Sequence, residues 1–295
     1  MSPPESPSEP PDFDWWRFSL PEPPLWWRVI LLILAVGSFL PQILLIRRKQ
    51  TINGISSLNV LLNLIIATEH LSIYIFILFV LGEQGGPLFL HFPASAGDRF
   101  SLWHCAVVTI LFLALFSQIL FYSNRRILLV ATYTCFLLIS VVPLMIINSI
   151  PPADYQARRF WVAIFYGVHS FYIYPILTAL GVLGISRQAR EILVAPFPNA
   201  LSLQGLALQA LIFTLVSVTW IPSLPFPYEK LEGHYDWNTF TVWYGTVGFI
   251  IFDSFVFALG QTVLLLLALC RSSSSKATIQ QGTETEPLLG HPAEL

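Results

Sequence analysis

Long apolar segments alternate with short polar segments along most of the chain. A helix needs about 20 apolar residues to cross the hydrocarbon core of a bilayer. Seven segments of about that length follow one another, and each is expected to be an α-helix because backbone groups in lipid must be bonded within the segment. The predicted spans, numbered 1 to 7, are residues 25–46, 57–81, 102–122, 127–147, 160–186, 200–220 and 241–270.

Polar tails flank the spans. Residues 1–24 are rich in Pro, Ser, Glu and Asp and lack the basic start and apolar stretch of a signal peptide, so they predict a disordered tail. Residues 271–295 predict a second tail, in which Glu284 precedes the pair Leu288-Leu289 by four residues. This spacing resembles an acidic dileucine sorting signal read by cytosolic adaptors, although a short biased tail can also contain it by coincidence.

Composition narrows the class of protein. Of 295 residues, 55% are apolar and 11% are charged, whereas soluble domains carry about 25% charged residues. These numbers argue against a soluble globular enzyme, which needs more charges at its surface, and they exclude disorder for most of the chain. The net charge of −2 gives no basic field for nucleic acid. The chain carries no metalloprotease, hydrolase or phosphate-loop motif, so we expect neither an enzyme nor a metal or cofactor site.

Positive charges indicate the orientation. Nine of the 15 lysines and arginines follow spans 1, 3, 5 or 7, and six lie on the other side. The positive-inside rule then places the N-terminus in the lumen and the C-terminus in the cytosol. Arg158 and Arg159 disagree with this assignment.

An internal repeat relates the ends of spans 1 and 5, at a shift of 146 residues. Each copy leaves a helix, passes through a polar loop and enters a new helix at a small polar residue, and both Asn and Ser are good N-caps. Chance is the other explanation, because matches arise easily in membrane sequences. The matched pairs are Gln42 with Gln188, Asn53 with Asn199, Ser56 with Ser202, and Asn63 with Gln209.

The repeat predicts the architecture. Residues 25–122 and 160–270 would form two parallel three-helix bundles, and residues 123–159 would supply a linker helix and loops between them. The expected fold is therefore an all-α membrane protein with a 3+1+3 arrangement. Parallel repeats of this kind occur in transporters.

The end of span 1 and the loop that follows it carry a motif. It reads Pro41-Gln42, then Arg47, Thr51 and Gly54-Ile55-Ser56. This motif resembles the PQ-loop, and the seven spans resemble the PQ-loop transporter family, which includes lysosomal cystine and cationic amino-acid exporters and is related to the SWEET sugar transporters and the KDEL receptor. In the second copy, Arg187 stands where the family has its proline.

Pro41, Gln42 and Gln188 are the predicted hinge or gate. A proline inside a helix removes one backbone hydrogen bond and bends the chain. Gln42 could then bond the freed carbonyls or a neighbouring helix. A passive kink is the alternative, since membrane helices tolerate proline. The family resemblance implies the hinge.

Polar residues within the spans suggest a pathway. Four side chains of span 2 share about 60° of helical arc, and an amide of span 6 is related to one of them by the repeat. They are predicted to line a route for substrate, unless they only bond neighbouring helices. The residues are Asn59, Asn63, His70 and Tyr74, with Gln209 from span 6.

Ionisable residues inside the membrane are functional candidates by default. Asp253, Glu69 and His169 are predicted to couple transport to protons. Glu69 points about 100° away from His70 on an ideal helix, so the two side chains do not necessarily reach one cavity. A cationic or zwitterionic solute would suit the two acids, and a sugar would suit the amides.

Three functions follow. The first is a secondary transporter that moves a small solute, such as an amino acid, across a lysosomal, vacuolar or other endomembrane, coupled to protons and working by alternating access. The second is a sorting receptor or lipid scramblase of the same fold, and the third is a seven-helix signalling receptor. The expected partners of the transporter are solute, protons, membrane lipid and cytosolic sorting adaptors.

Overall fold

The computed structural model describes residues 22–81, 94–151, 154–196, 199–223 and 237–284. All regular elements in these ranges are helices, and seven of them are long and apolar enough to cross a membrane. The prediction of an all-α membrane protein with seven spans is therefore confirmed. Spans 1 to 7 are Leu25–Lys49, Ser57–Leu81, Ala96–Tyr122, Arg126–Ser149, Tyr155–Val194, Leu203–Trp220 and Phe249–Ser273.

Several helices are longer than their apolar segments. Span 5 extends to Val194, eight residues beyond its predicted end, and the helix of span 7 continues to Glu284, into the predicted tail. Arginine, glutamine and glutamate are good helix formers, so a helix need not end where its sequence turns polar. Span 3 starts at Ala96, where Ser95 and Asp98 form a capping box.

Serine caps begin the two helices that follow the repeated loops. Ser56 accepts a hydrogen bond from the backbone N–H of Asn59, and Ser202 accepts one from Gly205. The repeat predicts a small polar residue, Asn or Ser, at each of these helix starts, and the structure places serine at both, with span 6 beginning at Leu203 and not at residue 200. The helix of span 1 continues through Pro41 as far as Lys49.

Three spans contain or adjoin π-helical turns. Span 2 ends in the π segment Phe76–Leu81, and the segment Tyr244–Gly248 precedes span 7. Span 5 contains the π segment His169–Ile173, whose end is marked by a bond from Tyr174 N–H to the His169 carbonyl. Pro175 follows directly and has no N–H to donate, which favours rewinding of the helix at this point. Such π turns are frequent at functional sites.

The packing of the spans has a regular pattern. Span 3 packs against spans 1 and 2, and span 7 packs against spans 5 and 6. Between these groups, span 1 packs against span 6 and span 2 against span 5. Span 4 lies outside, mainly against span 2, and is the most exposed span, with 17% of its apolar stretch buried against 61% for span 2. Its outward apolar side chains face lipid.

Candidate functional site

A cavity occupies the centre of the bundle and is lined by residues of spans 2, 3, 5, 6 and 7. The space between its lining atoms, together with the part open to the surroundings, is about 510 Å³. The polar part of its wall consists of Asn63, His70, Thr178, Asp253 and Ser254, and phenylalanines supply much of the rest. Two of the predicted residues of span 2 thus meet the predicted acid of span 7 in one place.

Asp253 is the centre of a hydrogen-bond network. His70 Nε2 lies 3.0 Å from Asp253 Oδ2, and the Thr178 hydroxyl donates to Asp253 Oδ1. The Thr178 oxygen also lies 2.6 Å from the Tyr244 hydroxyl. Because Thr178 has one hydroxyl proton and gives it to Asp253, Tyr244 must donate to Thr178. His70 and Thr178 therefore bond to the Asp253 carboxyl group directly, and Tyr244 bonds to Thr178.

The exposure of this pair suits a binding site. The Asp253 side chain is 3% exposed and that of His70 is 13% exposed. A buried carboxylate is costly unless it is paired and hydrogen-bonded. His70 and Thr178 provide those partners, so a solute that contacts Asp253 has to share or replace them.

A reciprocal pair of glutamines closes one end of the bundle, which we call the glutamine end. Gln42 Nε2 donates to the Ala200 carbonyl (2.8 Å), and Gln42 Oε1 accepts from the Ser202 N–H (2.9 Å). Gln188 Nε2 donates to the Gly54 carbonyl (2.7 Å), and Gln188 Oε1 accepts from the Ser56 N–H (2.7 Å). The partners of the two amides are themselves related by 146 residues.

Each of these glutamines therefore holds the entrance of the helix that follows the other glutamine. We call the two arrangements the glutamine braces. Both side chains are buried, and both satisfy an N–H and a carbonyl that have no partner within the helix. A hydrogen bond from Ala200 N–H to the Asn53 carbonyl (2.8 Å) and one from Lys49 Nζ to the Asn199 carbonyl add to the closure.

A second cavity, with about 490 Å³ of empty volume, lies between the braces and the central cavity. Gln42, Gln188, Asn59 and Gln209 line it, and it shares Asn63 with the central cavity. Asn63 Nδ2 donates to the Asn59 carbonyl (2.8 Å) and lies 3.1 Å from Asn59 Oδ1. The repeat-related amides Asn63 and Gln209 thus face the same cavity.

Two further cavities continue toward the opposite end, which we call the arginine end. The first is lined by His70, His104 and Ser254 among others and shares His70 and Ser254 with the central cavity. The next includes Arg28 and shares His104 with the first. Arg28 is buried and donates to the Gly97 carbonyl and to Ser101. Four adjoining cavities thus extend from the glutamine braces to Arg28.

Glu69 lies apart from these cavities. It is fully buried, accepts a hydrogen bond from Ser140 of span 4, and has Oε1 3.5 Å from His169 Nε2. Glu69 and His169 are absent from the lining of all four cavities. The structure therefore brings His70 together with Asp253, and Glu69 together with His169, as two separate pairs.

The remaining predicted residues have varied positions. Tyr74 is buried against Trp220, at 5.5 Å between ring centroids, and does not line the four cavities. Pro41 lies at the exposed side of the helix next to Gln42 and is half-buried. Leu288 and Leu289 of the sorting signal lie outside the described residues, as does the side chain of Glu284.

Sequence reasoning missed three hydroxyl groups of these networks. Thr178, Tyr244 and Ser140 all bond to buried carboxyl groups or to their donors. Serine and threonine are common in membrane helices because their hydroxyls can bond the carbonyl four residues earlier. Their presence therefore gives no signal until the fold places them beside an acid.

Comparison with protein families supports the motif. Residues 29–68 match the model of the PQ loop repeat, which covers most of span 1, the following loop and the first half of span 2. No curated protein and no solved structure gives a significant match to the chain. The matched segment contains Pro41, Gln42 and the Ser56 cap, which form one half of the closure at the glutamine end. The chain therefore carries one segment that matches the PQ loop repeat, within a fold of seven helices that are long and apolar enough to cross a membrane.

Proposed function

We propose that this protein is a secondary transporter that moves a small solute across an endomembrane and couples this movement to protons. The observation that carries the proposal is the series of four adjoining cavities between the glutamine braces and Arg28. A structural bundle would fill this axis with apolar side chains. Here amides, hydroxyls and an acid–base pair occupy it, and these groups suit a polar solute.

The pairing of the spans supports a mechanism of two rocking bundles. Among spans 1–3 and 5–7, exchange of spans 1, 2 and 3 for spans 5, 6 and 7 converts each main contact between spans into another main contact, including 1 with 6 into 5 with 2. Such exchange is expected of two like-oriented three-helix units around a pseudo-two-fold axis. Span 4, at the periphery, would be the linker. Alternating access would then consist of movement of one unit against the other.

The glutamine braces would be the closed gate in this mechanism. They are buried polar links between the helix entrances of the two units, and they lie at one end of the cavities. Opening at this end requires both amides to leave their backbone partners. Pro41, next to Gln42, weakens the helix where such a movement would start.

The His70–Asp253 pair is the proposed centre of proton coupling in the pathway. A proton can leave or join this pair only if the network of Thr178 and Tyr244 adapts, so proton and solute would compete for the same carboxyl group. A solute with a positively charged amine would match Asp253, and the amides Asn63 and Gln209 would bind its polar groups.

Orientation and location are also part of the proposal. The bias of Lys and Arg favours a cytosolic glutamine end and a cytosolic C-terminus, with the N-terminus in the lumen. The sequence Glu284–Leu289 would then be available to cytosolic adaptors that deliver the protein to a lysosome or vacuole. Replacement of Leu288 and Leu289 by alanine in a fluorescent fusion should redirect it to the cell surface, and an unchanged location would contradict this assignment.

Flux through purified protein tests the function. The full chain in liposomes is given a panel of radiolabelled amino acids, amines and sugars, with and without an inside-acid gradient. Flux of at least one solute above that of empty liposomes is expected, with dependence on the gradient. Asp253→Asn should abolish the dependence on the gradient, and the exposed Asp154→Asn is the matched control.

Three results would change the proposal. Absence of flux for all solutes, together with scrambling of fluorescent lipids, would favour a scramblase of the same fold. Solute or peptide binding without flux would favour a receptor. Proton-independent flux in the wild type would leave a transporter but reject the coupling.

A further inference from the structure

A second polar cluster lies behind span 2, between spans 2, 4 and 5. Its buried atoms without a hydrogen-bond partner include Glu69 Oε1, His169 Nε2 and the hydroxyl oxygens of Tyr166, Ser170 and Tyr174. Buried polar groups are nearly always hydrogen-bonded, so several such atoms close together indicate that something occupies the space between them. Glu69 is 0% exposed and His169 is 2% exposed, which excludes bulk solvent as the partner.

The tautomer of His169 follows from its surroundings. His169 Nδ1 lies 2.7 Å from the backbone carbonyl of Phe165, and a carbonyl can only accept. Nδ1 therefore carries a hydrogen, and in the neutral ring Nε2 is left as an acceptor. This acceptor is directed at Glu69 Oε1, 3.5 Å away.

An ionised Glu69 would leave two acceptors facing each other. The other oxygen, Glu69 Oε2, already accepts from the Ser140 hydroxyl, so no donor is left for Oε1 in the described surroundings. One additional proton between Oε1 and Nε2 removes this conflict. In a medium of low polarity the neutral arrangement, carboxylic acid donating to imidazole, is favoured over an ion pair.

We propose that Glu69 and His169 form a buried proton-binding site, separate from the solute pathway, in which Glu69 holds one proton and donates it to His169 Nε2. Water molecules fill the remaining space beside the hydroxyls of Tyr166, Ser170 and Tyr174. The site takes a proton and no larger cation, because its only charged oxygen ligand is one carboxyl group that faces a nitrogen base.

The groups that face Glu69 can be named for each neighbouring element. Span 5 contributes His169 and Tyr174, span 4 contributes Ser140, and span 7 contributes Asp253 at longer range. On span 2 itself, His70 is bonded to Asp253 and does not reach Glu69. Among these groups, within the part of the chain that the structure describes, His169 is the one base, and the others are neutral or acidic. No lysine or arginine among them therefore competes with the proton for Glu69.

The position of the pair gives the proton a mechanical role. His169 is the first residue of the π segment in span 5, and Glu69 connects it to span 2 and, through Ser140, to span 4. With the proton present, the three spans are joined at one level. Without it, a buried charge faces an acceptor, and the contact between spans 2 and 5 is weakened. The Glu69–His169 pair thus acts as a proton-dependent clasp. Its mechanical role rests on the proposed transport cycle, whereas the presence of a proton at the pair is independent of that cycle.

Infrared spectroscopy of the reconstituted full-length protein tests occupancy without any transport. A protonated carboxyl group has a C=O stretching band that a carboxylate lacks. At neutral pH we expect a C=O band of a protonated carboxyl group that shifts when glutamate is labelled with ¹³C. This band should disappear completely in Glu69→Gln and persist in Asp253→Asn. His169→Gln should shift the band, because the acceptor of the Glu69 proton changes.

Several outcomes would overturn the proposal. Absence of a ¹³C-sensitive band in the wild type at neutral pH shows that Glu69 is ionised, and this result needs no variant to fold. Persistence of the band in Glu69→Gln assigns it to another glutamate. A change of the infrared spectrum when sodium replaces potassium in the buffer identifies a metal cation as the occupant of the site. Solute flux can be present in all these cases, so failure of the clasp is distinguishable from failure of the transport function.

Discussion

A single hydroxyl proton of Thr178 organises the hydrogen bonds of the central cavity. Thr178 donates to Asp253 and accepts from Tyr244, so one small side chain satisfies an acid and a phenol at once. Valine has almost the same shape as threonine but can neither donate nor accept a hydrogen bond. The network therefore allows the contribution of a hydroxyl group to be separated from that of packing.

Thr178→Val should destabilise the protein by about 1–3 kcal/mol, the cost of leaving buried polar partners unsatisfied. Denaturant unfolding in detergent measures the difference in free energy, and Thr178→Ser, which keeps the hydroxyl, should stay close to the wild type. Equal stability of the valine and serine variants would show that water replaces the hydroxyl and that the network is not rigid.

Gly54 is required by the loop that receives the Gln188 brace. Its φ angle is 86°, a left-handed conformation that favours glycine, and an added Cβ would approach the Asn199 Cβ to 2.9 Å. Gly54→Ala should therefore destabilise by about 1–3 kcal/mol. Gly37→Ala, where an added Cβ meets nothing within 4 Å, should be neutral or slightly stabilising. Thermal unfolding of both variants checks this, and similar midpoints would contradict the strain at Gly54.

Residue-level prediction succeeded where the sequence itself carries the pattern. The 146-residue shift matched Gln42 with Gln188 and Ser56 with Ser202, and the structure gives both pairs equivalent bonds. The sequence could not show that each glutamine bonds the opposite loop, since both a helix carbonyl and a neighbouring helix were possible partners. That choice depends on the crossing of spans 1 and 6, which no local pattern encodes.

At the scale of elements, the glutamine braces join four helix ends. Each amide satisfies one N–H and one carbonyl at the start of the helix in the other repeat. The loops also place Ile55 and Ala200 in the apolar core, and the glutamine bonds add polar links that position the helix entrances against spans 1 and 5.

Gln42→Ala and Gln188→Ala should each cost about 1–3 kcal/mol, because both leave a buried donor and acceptor unsatisfied. The symmetry of the partners predicts similar costs. The variants should also open the glutamine end: in a cysteine-free background, Gln209→Cys should react faster with an impermeant thiol reagent when either brace is removed. Gln118→Ala in span 3 is the control, and unchanged labelling would show that the braces do not close the cavity.

The limits of the helices show what an apolar pattern measures. It detects the segment that lies in hydrocarbon, which is why the start of span 2 and the end of span 3 were predicted within a residue. It does not detect where the helix ends, because Arg187 to Glu191 extend span 5 into a polar region. The π segment at His169 was also missed, since it arises from the missing N–H of Pro175 together with packing.

At the scale of the molecule, two acid–base pairs are divided between two places. His70 and Asp253 line the cavities, whereas Glu69 and His169 lie behind span 2. Adjacent residues on a helix point about 100° apart, and this rotation sends Glu69 and His70 to different neighbours. The sequence predicted the divergence but not the partners, which come from spans 4, 5 and 7 and depend on the complete fold.

The cavities form a pathway only if solute passes each junction between them. Ser254 lines both the central cavity and the next cavity toward the arginine end, and it is half-buried. A phenyl ring at this position would fill the junction, whereas alanine would leave it open. Ser254→Phe should therefore lower solute flux in liposomes at least about tenfold, which corresponds to about 1.4 kcal/mol in the barrier, and Ser254→Ala should keep it. Thermal unfolding and the infrared band of Glu69 should be unchanged in both variants, since the clasp lies elsewhere. Undiminished flux in Ser254→Phe, with the protein folded, would mean that solute bypasses these cavities, and the route would then have to be sought between spans 1 and 5 at the surface of the bundle.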